Sequence, residues 1–228
     1  MTKIVAISDT HGQNLLTKWD IPDGDILVHA GDGTTRGLED QIKEFNSYLS
    51  RLPHRFKIFV PGNHDKLFFF DPQKAIKLLN SAITLIDETV ELLKLRIYGM
   101  PWLPNRSGNC SKAFEADDLL QKTDQIPLDT DILVTHTGPL HILDNAWRSY
   151  IYDPTVKPPS LTILSSEHMG NGPLANKLRY GLNPKLHVFG HIHEAYGQME
   201  LGGIKFVNAS LVDRGENKPK NQPIVIEI

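Results

Sequence analysis

The 228-residue sequence predicts an α/β or α+β layered fold built on a mixed β-sheet. Three observations carry that expectation. Short apolar runs alternate with helix-like patterns through the first half of the chain. Two further apolar runs, "DILVTH" and "KLHVFGH", read as buried strands in the second half. The last thirty or so residues change to hairpin and alternating patterns, which adds an antiparallel portion.

In order, "KIVAIS" (Lys3 to Ser8) is a short β-rich apolar run, and "DILVHAG" (Asp25 to Gly31) is a second. A helix follows from about Leu38, because Leu38, Ile42, Phe45, Leu49 and Leu52 recur at helical spacing on one face. "FKIFV" (Phe56 to Val60) is the third strand. In "DPQKAIKLLN", Asp71 stands at an N-cap and Pro72 at the first helical position. "ELLKLRIYGM" (Glu91 to Met100) reads as one strand, and Ala116 to Lys122 as a short helix. "YGQMEL" and "IKFVNA" flank Gly202-Gly203, a hairpin signal, and "PIVIEI" closes with alternation. The segment from Asn145 to Ser166 reads as one long irregular connection, a length that in compact domains marks functional or mobile loops.

The composition excludes several classes of function. The net charge of -3 supplies no strong basic field for duplex nucleic acid or an anionic membrane surface. No uncharged apolar stretch approaches the roughly 18 residues of a membrane helix. The start, "MTKIVAISDTH", lacks a secretory pattern, and the lone Cys110 fits a reducing compartment. These features predict a soluble, cytoplasmic protein with neither membrane nor nucleic acid as partner.

Five apolar runs end in metal-ligand chemistry. "KIVAIS" leads into Asp9-Thr10-His11, "DILVHA" into Gly31-Asp32, and "KIFVP" into Gly62-Asn63-His64-Asp65. "DILVT" leads into His136, and "LHVF" into Gly190-His191-Ile192-His193. In open sheets of this kind ligands bind outside the carboxyl ends of the strands, so clusters spread from Asp9 to His193 can converge. A site drawing on that much of the chain argues for one domain over residues 1–228. Singly, each motif is compatible with a plain turn or strand; their order and common placement point to a site. The donors are oxygen and imidazole only: Asp9, His11, Asp32, Asn63, His136, His191 and His193. Seven are too many for one tetrahedral zinc. They suit two divalent ions, with Mn, Fe, Zn or Ni compatible with mixed carboxylate and imidazole. Two such ions, roughly 3.5–4 Å apart, can bridge a hydroxide and clamp a phosphoryl group for in-line attack. Asp32 is the candidate to bridge both ions. His64, beside the metals but not bound to them, is the candidate acid for the leaving oxygen.

This motif string, D-x-H, G-D, G-N-H-D, a lone His and G-H-x-H, resembles the calcineurin-like metallophosphoesterase superfamily over nearly the whole chain. The wording "YGMPW", "THTGPLHILD" and "PKLHVFGHIHEAYG" is similar to small metallophosphoesterase-domain proteins related to class III cyclic-nucleotide phosphodiesterases. The resemblance implies a four-layer α/β/β/α sandwich, two mixed sheets flanked by helices, with the metal site at the strand carboxyl ends. It also implies a division of ligands: Asp9, His11 and His193 for one ion, Asn63, His136 and His191 for the other, and Asp32 for both.

One departure bears on the substrate. Protein phosphatases of this superfamily read G-D-x-V-D-R-G in the second motif, whereas this chain reads Gly31-Asp32-Gly33-Thr34-Thr35-Arg36-Gly37. Thr35 replaces the Asp that orients the catalytic His, which argues against a phosphoprotein substrate. Arg36 keeps its place and is either a clamp for a phosphate oxygen or a solvated loop residue. Asn63 and His64 join it as candidate substrate contacts. Asp65 either steadies its loop or is a turn carboxylate. His29, His54, His141 and His187 read as structural or exposed; His168 belongs either to a phosphate-receiving helix start or to a plain loop. Trp147, Tyr150 and Tyr152 are either a base-stacking lid or core. The expected activity is hydrolysis of small phosphodiesters such as cyclic nucleotides. The alternatives are a phosphomonoesterase or pyrophosphatase, a nuclease, and a non-catalytic scaffold.

Overall fold

The computed structural model describes residues 1–105, 113–153, 155, 160–213 and 218–228; Cys110 lies outside them. The first half forms β1 (Lys3–Ile7), α1 (Leu15–Lys18), β2 (Ile26–His29), α2 (Glu39–Ser50), β3 (Phe56–Phe59), α3 (Leu67–Phe70), α4 (Pro72–Leu78) and β4 (Ile83–Thr84). Next come β5 (Glu88–Leu92), β6 (Leu95–Met100), β7 (Leu103–Pro104), β8 (Glu115–Ala116), α5 (Leu119–Asp124) and β9 (Ile132–Thr137). The rest comprises β10 (Asn145–Asp153), β11 (Ser160–His168), α6 (Gly172–Tyr180), β12 (Leu186–Gly190), a 3₁₀ turn at His193–Ala195, β13 (Gly197–Leu201), β14 (Ile204–Asn208) and β15 (Ile224–Glu227).

Two mixed sheets carry the architecture. One runs β15-β1-β2-β3-β4, with β1 to β4 parallel and β15 antiparallel at its edge. The other runs β13-β14-β12-β9-β6-β5, with the four inner strands parallel and both edge strands antiparallel. Alternation along each strand divides its side chains between two layers. Ile4, Ala6, Ile26, Val28 and Ile58 point inward, sharing one core with Ile97, Ile132, Val134, Leu186 and Val188 of the other sheet. The opposite parity, Val5, Ile7, Leu27 and Phe59, is covered by Ile42, Phe45 and Leu49 of α2. On the far side, Tyr98, Met100 and Leu133 lie under Leu174 of α6. Both sheets are therefore buried on two faces, which is why their central strands read as continuous apolar runs. The layers are helix, sheet, sheet, helix.

Register sets the site. Ile7 pairs with His29 and His29 with Phe59, so β1, β2 and β3 end level. Val188 pairs with Val134 and Gly190 with Thr137, so β12 and β9 also end together.

Local signals held at Asp71, whose carboxylate accepts from the Lys74 amide in the first turn after Pro72, and at Gly202 and Gly203, both left-handed at φ 61° and 83°. Other expectations need correction. Glu91 to Met100 is not one strand: β5 and β6 form a hairpin that turns at Leu93-Lys94, both at positive φ (52° and 64°). Nothing in "LLKL" announces a turn, because the pair lacks the Gly or Asn that such a conformation favours. Asn145 to Ser166 is not irregular: β10 and β11 pair as an antiparallel ribbon. The prolines that suggested a loop, Pro154, Pro158 and Pro159, fall between the strands in the sequence. Leu38 precedes α2 as an exposed cap residue whose side chain offers no acceptor, and the Gln41 side chain reaches back to accept from the Arg36 and Leu38 amides. The short helix α5 begins at Leu119, where Asp118 caps the Gln121 amide, rather than at Ala116. Among the described residues, no helix is long and apolar enough to cross a membrane.

Candidate metal centre

The five strand ends meet as the register requires. Asp9 and His11 follow β1, Asp32 follows β2, and Asn63 and His64 follow β3; His136 is the penultimate residue of β9, and His191 and His193 follow β12. Three groups of potential ligand atoms lie within 4.8 Å of one another: Asp9, His11 and His193; His11, Asp32 and His64; and Asp32, His136 and His191. Asn63 joins the third, its Oδ1 3.0 Å from His136 Nε2. Asp32 Oδ2 sits between the halves, 3.8 Å from His11 Nε2 and 3.5 Å from His136 Nε2. All seven residues expected as ligands are thus brought together around Asp32.

The backbone explains how strand residues can turn toward one point. Asp9, His11, Asp32 and His191 all adopt left-handed φ, at 53°, 44°, 54° and 69°. Non-glycine residues occupy that region at a cost of order 1–3 kcal/mol each unless surrounding structure holds them. Here the Asp9 amide donates to the Gly31 carbonyl and the His11 amide to the Asp32 carbonyl, 2.9 Å each. Gly62 lies against the site: a Cβ there would land on Asp32 Oδ1 and come within 2.6 Å of His136 Cε1.

Ring orientation is set from behind. His136 Nδ1 faces the Ala30 carbonyl at 2.9 Å and His193 Nδ1 the Asp213 carbonyl at 3.1 Å, so each directs Nε2 into the centre. Burial opposes ionisation of Asp9, but the His193 imidazole, its Nε2 3.3 Å from Oδ1, outweighs it and holds the carboxyl well below its ordinary range. Burial likewise opposes ionisation of Asp32 and is outweighed by His136. Burial also disfavours the imidazolium of His136 and His193, yet Asp32 and Asp9 respectively raise them to about 9. Burial dominates at His11 and His191, lowered to about 4 and about 3. Two buried carboxylates thus draw positive charge into the site.

The donor set fits divalent cations. Asp9 Oδ1 is buried without a hydrogen bond, and His11 Nε2 and His193 Nε2 approach to 3.3 Å. Two imidazole lone pairs at that separation need a cation or proton between them, and the carboxylate oxygen beside them lacks a donor. These are the features of a ligand sphere.

His64 is placed at the same centre. Its amide donates to Asp32 Oδ1 at 2.8 Å, its ring meets His11 edge-on with centroids 4.7 Å apart, and its Nδ1 lies 2.9 Å from the Thr35 carbonyl. Thr35 therefore does orient His64, through its backbone rather than through a carboxylate. Asp65 is a strap, not a turn ornament: its carboxylate accepts from the amides of Gly33, Thr34 and Gly62 and from the Thr34 hydroxyl. Burial, and then the charge of Asp32, raises it to about 6. Arg36 is exposed, and its guanidinium makes no hydrogen bond or ion pair among the described residues.

The remaining histidines lie outside the cluster of candidate ligands. His29 is buried between Thr10 Oγ1 and the Gly31 amide, and burial lowers it to about 3. His187 faces Thr135 Oγ1 at 2.9 Å, and His54 faces the Pro22 carbonyl. His168 pairs with buried Asp144 at 2.6 Å and stacks edge-on with His141, at the root of the ribbon. Of the aromatic lid, Trp147 is tied through its amide to Glu194, and the side chains of Tyr150 and Tyr152 lie outside the described residues. Sequence reasoning missed Asn208 and Ser210, at and just past the end of β14, which contact Asp9 and the His191–His193 loop. "KFVNAS" ends in polar residues as the ligand-bearing strands do, but without a His or Asp to flag it.

Comparison with known proteins decides the family. The model described as calcineurin-like phosphoesterase matches residues 2–195. The chain belongs to the calcineurin-like phosphoesterase family. It is 36% identical over 250 residues to human metallophosphoesterase domain-containing protein 1, covering all of this chain and 71% of that protein. It is 33% identical over 243 residues to UPF0046 protein C25E10.12 of Caenorhabditis elegans, covering 99% and 80% respectively. Among solved structures, TT1561 of Thermus thermophilus shares the fold, with a TM-score of 0.58 at 14% identity over 91% of this chain and 88% of that one. Family membership makes this calcineurin-like phosphoesterase a metal-dependent phosphoester hydrolase with a dinuclear divalent site.

Proposed function

We propose that the protein is a phosphodiesterase for small diesters such as cyclic nucleotides, working as one domain over residues 1–228. Asp9, His11 and His193 would hold one divalent ion and Asn63, His136 and His191 the other, with Asp32 shared between them. The observation that carries this reading is the place of Asp32 Oδ2 between His11 and His136. Bound there, two divalent ions supply Lewis-acid stabilisation of a phosphoryl group and an activated water. The chain supplies the rest. His136 and His193, held by the Ala30 and Asp213 carbonyls, present Nε2 without reorganisation. His64, whose Nδ1–H is held by the Thr35 carbonyl, would deliver a proton from Nε2 to the departing oxygen as the imidazolium. The exposed guanidinium of Arg36 is available to a phosphate oxygen.

The neutral carbonyl behind His64, where protein phosphatases place a carboxylate, supports diesters over phosphoproteins. The lack of a basic field, at a net charge of -3, supports a small substrate over nucleic acid. Mn²⁺ suits the mixed oxygen and imidazole donors, and the lone cysteine suits the cytoplasm. The test is a panel of bis-p-nitrophenyl phosphate, p-nitrophenyl phosphate, cyclic mononucleotides and single-stranded DNA with Mn²⁺. The reading expects a higher kcat/KM on the diester than on the monoester of the same leaving group. The opposite order makes the protein a phosphomonoesterase.

A further inference from the structure

Asp9, Asn208 and Ser210 are each fully buried, and one hydrogen-bond chain joins them. Ser210 Oγ lies 2.8 Å from Asp9 Oδ2 and 2.8 Å from Asn208 Oδ1, yet it has a single proton. Asn208 Oδ1 already accepts the Ser210 amide at 3.2 Å. A carboxylate is the stronger acceptor, so the hydroxyl proton goes to Asp9. With the His191 amide at 2.9 Å, Asp9 Oδ2 then has two donors. Its other oxygen, Oδ1, has none and faces His193 Nε2 at 3.3 Å. The carboxylate is thereby fixed about its own axis, one oxygen committed to the protein and the other to the centre.

The same asparagine holds the next ligands. Its Nδ2 donates to the Ile192 carbonyl at 2.9 Å, between His191 and His193, and to the Leu143 carbonyl at 3.1 Å. It therefore ties the His-x-His loop to the segment that follows β9. The Ser210 hydroxyl, by contrast, bonds only Asp9 and Asn208 and reaches none of Asp32, Asn63, His136 and His191 among the described residues.

We propose that Ser210, backed by Asn208, is a positioning residue that sets cation affinity selectively at the position formed by Asp9, His11 and His193. The inference rests on the metal-centre reading above. Groups that orient metal ligands typically contribute 10–100-fold in affinity. Ser210→Ala removes the donor to Asp9 with almost no change in volume.

The test is equilibrium dialysis of the parent and Ser210→Ala against buffered Mn²⁺, read by elemental analysis, with melting of both chelated proteins alongside. The parent should take up two ions. Ser210→Ala should lose affinity for one by about 10–100-fold and keep the other, with the melting temperature of the chelated protein unchanged. Unchanged affinity for both ions overturns the inference. So does an equal loss at both accompanied by a lower melting temperature, since that marks a merely structural bond. A parent that binds no pair of ions defeats the metal-centre reading instead. If alanine is not tolerated, Ser210→Gly removes the same hydroxyl and is judged by the same outcomes.

Discussion

Replacing Gly62 by alanine should disable the centre through a single methyl group. Gly62 precedes the Asn63–His64 loop, and its amide donates to Asp65 Oδ2 at 2.9 Å, so the backbone there cannot easily retreat. An added Cβ would land on Asp32 Oδ1 and reach 2.6 Å from both the Asp32 amide nitrogen and His136 Cε1. Ordinary contact between such atoms begins at about 3.5 Å, so Asp32 or the loop must shift by about 1 Å or more. Overpacking of that kind costs about 1–3 kcal/mol of stability. The catalytic loss should be larger, because a misplacement of about 1 Å costs on the order of 10²-fold in rate. Since the displaced group is the carboxylate between both halves of the site, occupancy of both ions should fall together. The assay is kcat/KM on bis-p-nitrophenyl phosphate beside metal content after dialysis. Gly172→Ala is the control, because a Cβ there meets only Leu140 Cδ2, at 3.9 Å. Gly62→Ala with both ions bound and kcat/KM within a few-fold of the parent would refute the placement of Asp32 at the centre of the reaction.

Three further outcomes follow from the same geometry. His64→Ala should retain near-parent metal content and lose about 10²–10⁴ in kcat on cyclic nucleotides, with a much smaller loss on p-nitrophenyl esters, whose leaving group departs without a proton; loss of metal on elemental analysis would make His64 a ligand. Changing Leu93 and Lys94 to Asn-Gly should raise stability by roughly 1–2 kcal/mol in urea titration, since both positions are left-handed and neither residue favours that region; no gain would mean that the turn is held by its side chains. Ile132→Ala should cost about 2–5 kcal/mol, because Ile132 is fully buried between the sheets, and a loss below about 1 kcal/mol would place it outside the shared core.

What was legible in the sequence follows from which groups carry the structure. The inner strands were readable because burial on both faces demands unbroken apolar runs, and the centre because its donors are side chains of rare types at strand ends. The features that escaped are made by the backbone or by ordinary residues. The anchor for His64 is a carbonyl at Thr35, a group every residue possesses. The turn at Leu93-Lys94 is imposed by pairing of β5 with β6 against the preference of its own residues. Asn208 and Ser210 act through bonds that only proximity to Asp9 reveals. The ribbon was masked by Pro154, Pro158 and Pro159, which fall between β10 and β11 in the sequence.

The strain at the centre has a common cause. A strand continued past Ile7 or His29 would send successive side chains to opposite faces, and ligands on neighbouring strands would then not face one point in the gap beyond the sheet. A left-handed residue breaks that alternation. Glycine would adopt the conformation freely but offers no donor atom, so the same position must combine an unfavourable φ with a carboxylate or imidazole. Asp9, His11, Asp32 and His191 meet both demands. Their neighbours absorb the cost: Gly31 and Gly33 accept the amides of Asp9 and Gly12, and buried Asp65 gathers three amides and a hydroxyl from the loops after β2 and β3. Asp65 thus reaches the centre through the backbone it straps, adding to the bonds by which His64 already joins the two loops, its amide to Asp32 Oδ1 and its Nδ1 to the Thr35 carbonyl. The fourth residue of "GNHD" therefore serves the arrangement through geometry, by the four bonds it accepts, rather than through chemistry.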